Sequence, residues 1–258
     1  MSFTVVAFQA ARAAAIVPAA IVAGQPDEHV QVIGNDIIVP KFRHLIGQFA
    51  GHGVTAVPGT PEDAWLDSPS LRRVSRNEIS SPMDMAVAPL VDNVAMNPLN
   101  PIPLDEGEAL NAFLENTAVC AAGLGIVGAW LSDGAITPVK GEIRTIHATS
   151  VVAGTTAVWT NGVLALALDL PKGEYQCVGA RVQAGATAGL FRLIFPEQWH
   201  RPGGVSTRVF LDIDLPQFRY GNLGVWGNFT HRVLPRLEVL NVETVVNPEI
   251  WLDCIKIA

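Results

Sequence analysis

The chain has 258 residues, a formal net charge of -7, 49% apolar and only 16% charged residues, and a mean hydropathy of +0.31. Such low charge excludes disorder for the bulk of the chain. An acidic balance without a basic run excludes a primary nucleic-acid binder, whose affinity comes largely from Lys and Arg neutralising phosphates. The high hydropathy calls for a membrane or an extensive subunit interface to cover the apolar surplus.

In chain order, residues 1–26 carry one charge, Arg12, and Ala13 to Gly24 is apolar apart from Pro18. That stretch is too short to span a bilayer and no Lys/Arg cluster precedes it, so neither a transmembrane helix nor a signal peptide is expected. Alternation on both sides of Gly34-Asn35, His29 to Ile33 and then Asp36 to Val39, predicts a hairpin. Phe42, Leu45, Ile46 and Phe49 have the spacing of a short helix over Lys41 to Phe49. Arg72-Arg73-Val74-Ser75-Arg76 is the densest basic cluster and reads as a solvated loop. Pro82 to Pro103, rich in Pro and Asn, reads as a connector running extended over a surface. Residues 1–105 are therefore expected to form an extended, mixed region without a separate core.

Residues 106–134 are the strongest helix candidate. Asp105, Glu106 and Glu108 suit the first turn, Leu110, Phe113, Leu114, Thr117, Ala121 and Leu124 follow a helical stripe, and Ser132-Asp133-Gly134 ends it. Its second half is apolar all round, which requires burial on more than one side. Gly123-Leu124-Gly125-Ile126-Val127-Gly128 matches G-x-G-x-x-G, with Glu142 19 residues after the first glycine. A dinucleotide site needs that motif between a strand and a long helix, and no βαβ unit follows. The glycines read instead as close packing on one helix face.

After Gly134 strand-like runs recur at short intervals: Glu142 to Thr149, Ser150 to Trp159, Val163 to Asp169, Glu174 to Gln183 and Gly189 to Phe195. Ser206 to Asp212, Phe218 to Trp226, Leu237 to Val246 and Ile250 to Ile257 follow. Short strands without intervening helices predict an antiparallel β-sandwich over 135–258, its inner faces including Val163, Leu168, Val178, Leu193, Val209 and Leu211. No repeat of solenoid length is visible.

Chemistry-bearing residues are sparse. Cys120, Cys177 and Cys254 are odd in number and lack a C-x-x-C, which reads as buried reduced thiols. His29, His44, His52, His147, His200 and His231 form no H-x-H or H-E-x-x-H pattern, against a metal-dependent cupin; only His44 and His52 offer a conceivable shared metal. No G-x-S-x-G is present. Asp212 and Asp214 share one strand face, and an N-x-T triplet stands at Asn228-Phe229-Thr230. The six tryptophans, Trp65, Trp130, Trp159, Trp199, Trp226 and Trp251, are spread as core and interface anchors would be.

One segment carries a resemblance. Leu168-Asp169-Leu170-Pro171-Lys172-Gly173-Glu174-Tyr175, Val178-Gly179, Ala188-Gly189-Leu190-Phe191-Arg192-Leu193-Ile194-Phe195-Pro196, Trp199 and Arg201-Pro202-Gly203 resemble strand-and-loop patterns of viral jelly-roll capsid proteins of tailless icosahedral viruses of microbes. The likeness spans 36 residues, 168–203. It implies an eight-stranded sandwich, assembly into trimeric or pseudo-hexameric capsomers, and no active site. Unlike many small RNA-virus coats, the chain has no Arg/Lys-rich N-terminal arm, which argues against direct genome neutralisation.

The expectation is thus a mainly β protein with an antiparallel jelly-roll-type sandwich, an N-terminal region of short strands and loops, and one buried helix. It is expected to be a structural, self-assembling capsid (coat) subunit located in the virion after assembly in the host cytoplasm. It partners itself as a trimer or higher lattice, and other virion proteins besides. No catalytic, cofactor-binding or metal residue and no enzyme activity are expected. The alternative from another class is a cytoplasmic jelly-roll ligand- or carbohydrate-binding module, with Trp and Asp residues at one sandwich end; an enzyme ranks third.

Overall fold

A computed structural model describes residues 2–12, 19–20, 22–23, 30–53, 61–73, 77–79, 83–84, 94–116, 123–151, 153–154, 158–184, 189–207, 216–241 and 245–258. The first half runs β1 (Phe3–Arg12), β2 (Ala19–Ala20), β3 (Val22–Ala23), β4 (Val32–Ile33), β5 (Asp36–Ile38) and β6 (His44–Gly53). Then come β7 (Pro61–Asp67), β8 (Asn77–Ile79), β9 (Met83–Asp84), β10 (Ala95–Met96), β11 (Ile102–Pro103), β12 (Ala109–Asn116) and β13 (Gly123–Ser132). The second half runs β14 (Arg144–Ser150), β15 (Ala153–Gly154), β16 (Thr160–Leu166), β17 (Glu174–Gln183) and β18 (Gly189–Ile194). It ends with β19 (Gly203–Ser206), β20 (Gly227–Thr230), β21 (Arg236–Asn241), β22 (Val245–Val246) and β23 (Glu249–Lys256). The fold is mainly β and its strands pair antiparallel, except that β9 lies parallel to β6.

Three large sheets result. The first has the order β10-β6-β13-β1-β3, with β9 and β11 also on β6; the second has the order β4-β5-β12-β7-β8, with β2 on β12. The third has the order β19-β18-β21-β16-β14-β23-β17-β20 and curls on itself. The curl brings Thr207, just past β19, beside the end of β17: its N–H donates to Val182 O at 2.8 Å, and Ala184 N–H donates to Thr207 O at 3.0 Å.

The first sheet is the middle layer, and side-chain alternation along it feeds two cores. Val5, Ala7, Ile126 and Trp130 join a cluster with Leu190, Phe191 and Leu252 of the curled sheet and with Trp226, just before β20. Their neighbours Val6, Phe8, Val127, Ala129 and Leu131 join another with Ile37, Leu66, Leu110 and Leu114 of the second sheet. Gly128 permits the close approach, since a Cβ there would lie 2.9 Å from the Leu190 side chain.

These layers overturn the helix expected over 106–134, which is instead β12 and β13. A strand buried on both faces is apolar at every position, as a fully buried helix is, so pattern alone cannot separate them. The acidic run before it serves a tight turn rather than a helix dipole. Gly107 takes φ +82° there, and the Glu108 carboxylate accepts from the N–H groups of Ser70 and Asp105. The helix expected over Lys41 to Phe49 is likewise strand β6, for the same reason: Leu45 feeds one core, and Ile46 and Phe49 the other.

Residues 1–105 share one core with β12 and β13, the inner strands of the second and first sheets. Two smaller corrections follow. Val163 and Leu168 point outward, at 54% and 82% exposure, while Val178 and Leu193 are fully buried. Phe218 to Trp226 is no strand: a 3-10 turn, Pro216–Phe218, leads into further turns before β20. Val209 and Leu211 lie outside the described residues. The hairpin at Gly34-Asn35 forms as expected, with Val32 opposite Ile37, Ile33 opposite Asp36, and Gly34 at φ +63°.

Both halves share one strand order. Numbered one to eight along the chain, the principal strands are β1, β5, β6, β7, β8, β10, β12 and β13, then β14, β16, β17, β18, β19, β20, β21 and β23. In each half the neighbours run 1-8-3-6 and 2-7-4-5. The second half adds a pairing of strand 1 with strand 2, β14 with β16, which fuses its two sheets into one.

Candidate functional site

Where the halves meet, β1 is tied to the loop after β18. Val5 N–H donates to Arg201 O at 2.9 Å, and Arg201 N–H donates to Thr4 Oγ1 at 3.2 Å. Below lies a buried ionic cluster. Glu238 of β21 accepts Arg192 Nε at 2.5 Å and Arg201 Nη1 at 2.9 Å, and the Arg192 guanidinium lies 4.1 Å from the centre of the Trp159 ring. A second buried carboxylate, Asp253, accepts Thr145 Oγ1 at 2.8 Å and Arg219 Nε at 3.3 Å. Both clusters neutralise charges inside the fold and neither opens on a described cavity.

The outer face of the curled sheet differs. Val151 and Val163, joined by a backbone hydrogen bond of 3.3 Å, are 67% and 54% exposed, and Leu168 just beyond β16 is 82% exposed. On the adjoining strands His147 of β14 stacks on Trp251 of β23 at 4.9 Å, and the Arg181 guanidinium of β17 lies 4.8 Å from the same indole. His147 Nε2 also meets Glu249 Oε2 at 3.1 Å. This face combines exposed aliphatic side chains, an aromatic anchor and charges of both signs, the composition that protein interfaces favour.

The residues singled out from the sequence scatter. His44 and His52 stand eight positions apart on β6, about 26 Å along an extended strand, too far to share a metal. Among the described residues no group of three His, Cys, Asp or Glu side chains converges. His29, Cys120, Asp212 and Asp214 lie outside the described residues. Arg72 and Arg73 each pair with a carboxylate, Asp67 and Asp105, the latter at 2.5 Å. The glycine-rich motif lies along β13, hydrogen-bonded to β1 and β6 on its two sides, with no helix to meet a pyrophosphate.

Cys177 and Cys254 face each other across β17 and β23, both free and fully buried. The hydrogen bond to Cys177, and then burial, push the Cys254 thiol far above its ordinary range, so it stays protonated and unreactive. Of the tryptophans, Trp130, Trp159 and Trp226 are core residues and Trp65 is buried against Phe113. Trp251 is half-buried, and Trp199 is 38% exposed in the 195–202 loop. Nothing in the sequence distinguishes these last two, because their exposure depends on which strands and loops meet them.

Among the described residues no helix is long and apolar enough to cross a membrane. No protein-family model matches the chain, and no curated protein or solved structure matches it.

Proposed function

We propose that the chain is a structural, self-assembling subunit with two jelly-roll-type units, a coat protein of an icosahedral virion rather than an enzyme. The observation that carries this reading is the strand order repeated in both halves, 1-8-3-6 and 2-7-4-5. Eight strands wound as two interlocked Greek keys have this order, and capsid domains are among the jelly rolls. Two like units in one chain also suit the capsomers that the resemblance implies. Three copies present six similar units, so a trimer acquires pseudo-sixfold symmetry and packs as a hexagon. The exposed side chains of Val151, Val163 and Leu168 support self-association, with a second copy supplying the cover.

Light scattering behind size-exclusion chromatography tests the reading, with negative-stain microscopy of the same fractions. Trimers, hexagonal plates or shells are expected, and Val163→Glu should weaken assembly without lowering thermal stability. A clean monomer of 27.5 kDa at micromolar concentration and above overturns the proposal.

A further inference from the structure

A cleft of about 430 Å³ opens where the two halves meet, lined by Gln31, Ile38, Val39, Pro40, Lys41, Glu106 and Trp199. Its walls come from three segments distant in sequence: the β4–β5 hairpin with the connector into β6, the tight turn before β12, and the 195–202 loop of the second half. The volume falls within the ordinary range for small-molecule sites, and junctions between packed units are a favoured location for them.

The aromatic wall is held in advance. Trp199 stacks on Phe42 at 4.5 Å with an interplanar angle of 18°, and Phe42 is itself buried in the first-half core. The adjoining His200 meets Trp226 O through Nε2 at 3.2 Å, and Leu193 N–H of β18 donates to Pro202 O at 2.7 Å, so the chain directly after the indole is fastened. The opposite wall is equally fixed: Gly107 N–H donates to Val39 O at 3.0 Å and Val39 N–H to Glu108 O at 2.8 Å, setting Glu106 on a rigid turn. A ligand reaching this cleft needs little reorganisation of the backbone that lines it.

We propose that this cleft binds a saccharide unit. A pyranose has an apolar C–H face and a rim of hydroxyls that both donate and accept. Trp199 supplies the surface for the face, Glu106 an acceptor, Lys41 a donor, and the Gln31 amide both. A purely apolar ligand would make no use of these three exposed polar groups, and a phosphate would meet the Glu106 carboxylate. The site needs no second subunit, so it stands or falls apart from the assembly reading.

Saturation-transfer NMR on the full-length protein provides the test, with glucose, galactose, mannose, N-acetylglucosamine and sialic acid and their common disaccharides at millimolar concentration. At least one is expected to bind. Trp199→Ala should weaken it about tenfold and Glu106→Gln about threefold to tenfold. Should Trp199→Ala disturb folding, Glu106→Gln and Lys41→Ala, both at exposed positions, decide the question. Failure of every sugar to bind overturns the proposal, as does binding that survives Glu106→Gln and Lys41→Ala unchanged.

Discussion

Glu238→Gln isolates the ionic cluster that joins the halves. The side chain is almost fully buried, and its carboxylate holds two guanidiniums, Arg192 at 2.5 Å and Arg201 at 2.9 Å. Glutamine keeps the shape but removes the charge and turns an NH2 group toward the cations. Arg192, buried against Trp159 and the Val5 carbonyl, then loses the carboxylate it pairs with. Removing one partner of a buried pair costs about 3–5 kcal/mol. At about 2–4 °C per kcal/mol for a chain of this size, Tm should fall by about 6–20 °C. Urea titration followed by tryptophan fluorescence gives the free energy, and thermal scanning gives Tm. Arg73→Gln is the matched control: its pair with Asp105 is largely exposed on both sides and should change stability by less than about 1 kcal/mol. Should Glu238→Gln shift stability no more than that control, the cluster does not hold the junction and the argument from burial is wrong.

Three further outcomes are expected. Trp130→Phe strands the Gly203 carbonyl, which accepts the indole N–H at 2.9 Å, whereas the Trp226 indole N–H has no acceptor among the described residues; urea titration should find Trp130→Phe costlier than Trp226→Phe by about 1–3 kcal/mol, and equal costs would refute the hydrogen-bond argument. Burial lowers the His200 pKa below its ordinary 6.5, so the unfolded chain binds that proton first. The resulting stability is complete above pH 6.5 and is lost as pH falls through 6.5 toward the lower folded value. His200→Gln should therefore flatten the decline of Tm between pH 7.5 and 5 (range chosen to bracket the ordinary histidine value), and an unchanged slope would refute the assignment. A fragment of residues 1–105 should be insoluble or disordered, because it lacks β12 and β13, the inner strands of two sheets. A sharp, cooperative melt by circular dichroism would contradict this.

Residues 135–258 were largely legible because their strands obey local rules. β17 runs Glu174–Gln183 as the pattern predicts, β18 and β23 fall within a residue or so of expectation, and Gly34-Asn35 marks its hairpin through turn geometry alone. The first half defeated the same rules where burial was two-sided. Ile126, Val127, Ala129, Trp130 and Leu131 are all buried, so β13 loses the alternation that would announce a strand, and Leu45, Ile46 and Phe49 mimic a helical stripe on β6. Glycines at 123, 125 and 128 gave a nucleotide-like motif whose meaning depends on what flanks it: here Gly128 faces Leu190 of another sheet.

By itself, the sequence determined the class of structure: low charge, recurrent short strands and turn residues dictate an antiparallel, mainly β chain with much apolar surface to cover. Only the tertiary structure decided that two units share one strand order, that a single sheet serves two cores, and that Trp199 meets Glu106 and Lys41 across a cleft. The physical reason is range. Alternation, turn chemistry and hydropathy act between residues a few positions apart. Which strand lies beside which is settled by pairings such as β1 with β13 and β14 with β23, made across more than a hundred residues and recorded in no local pattern.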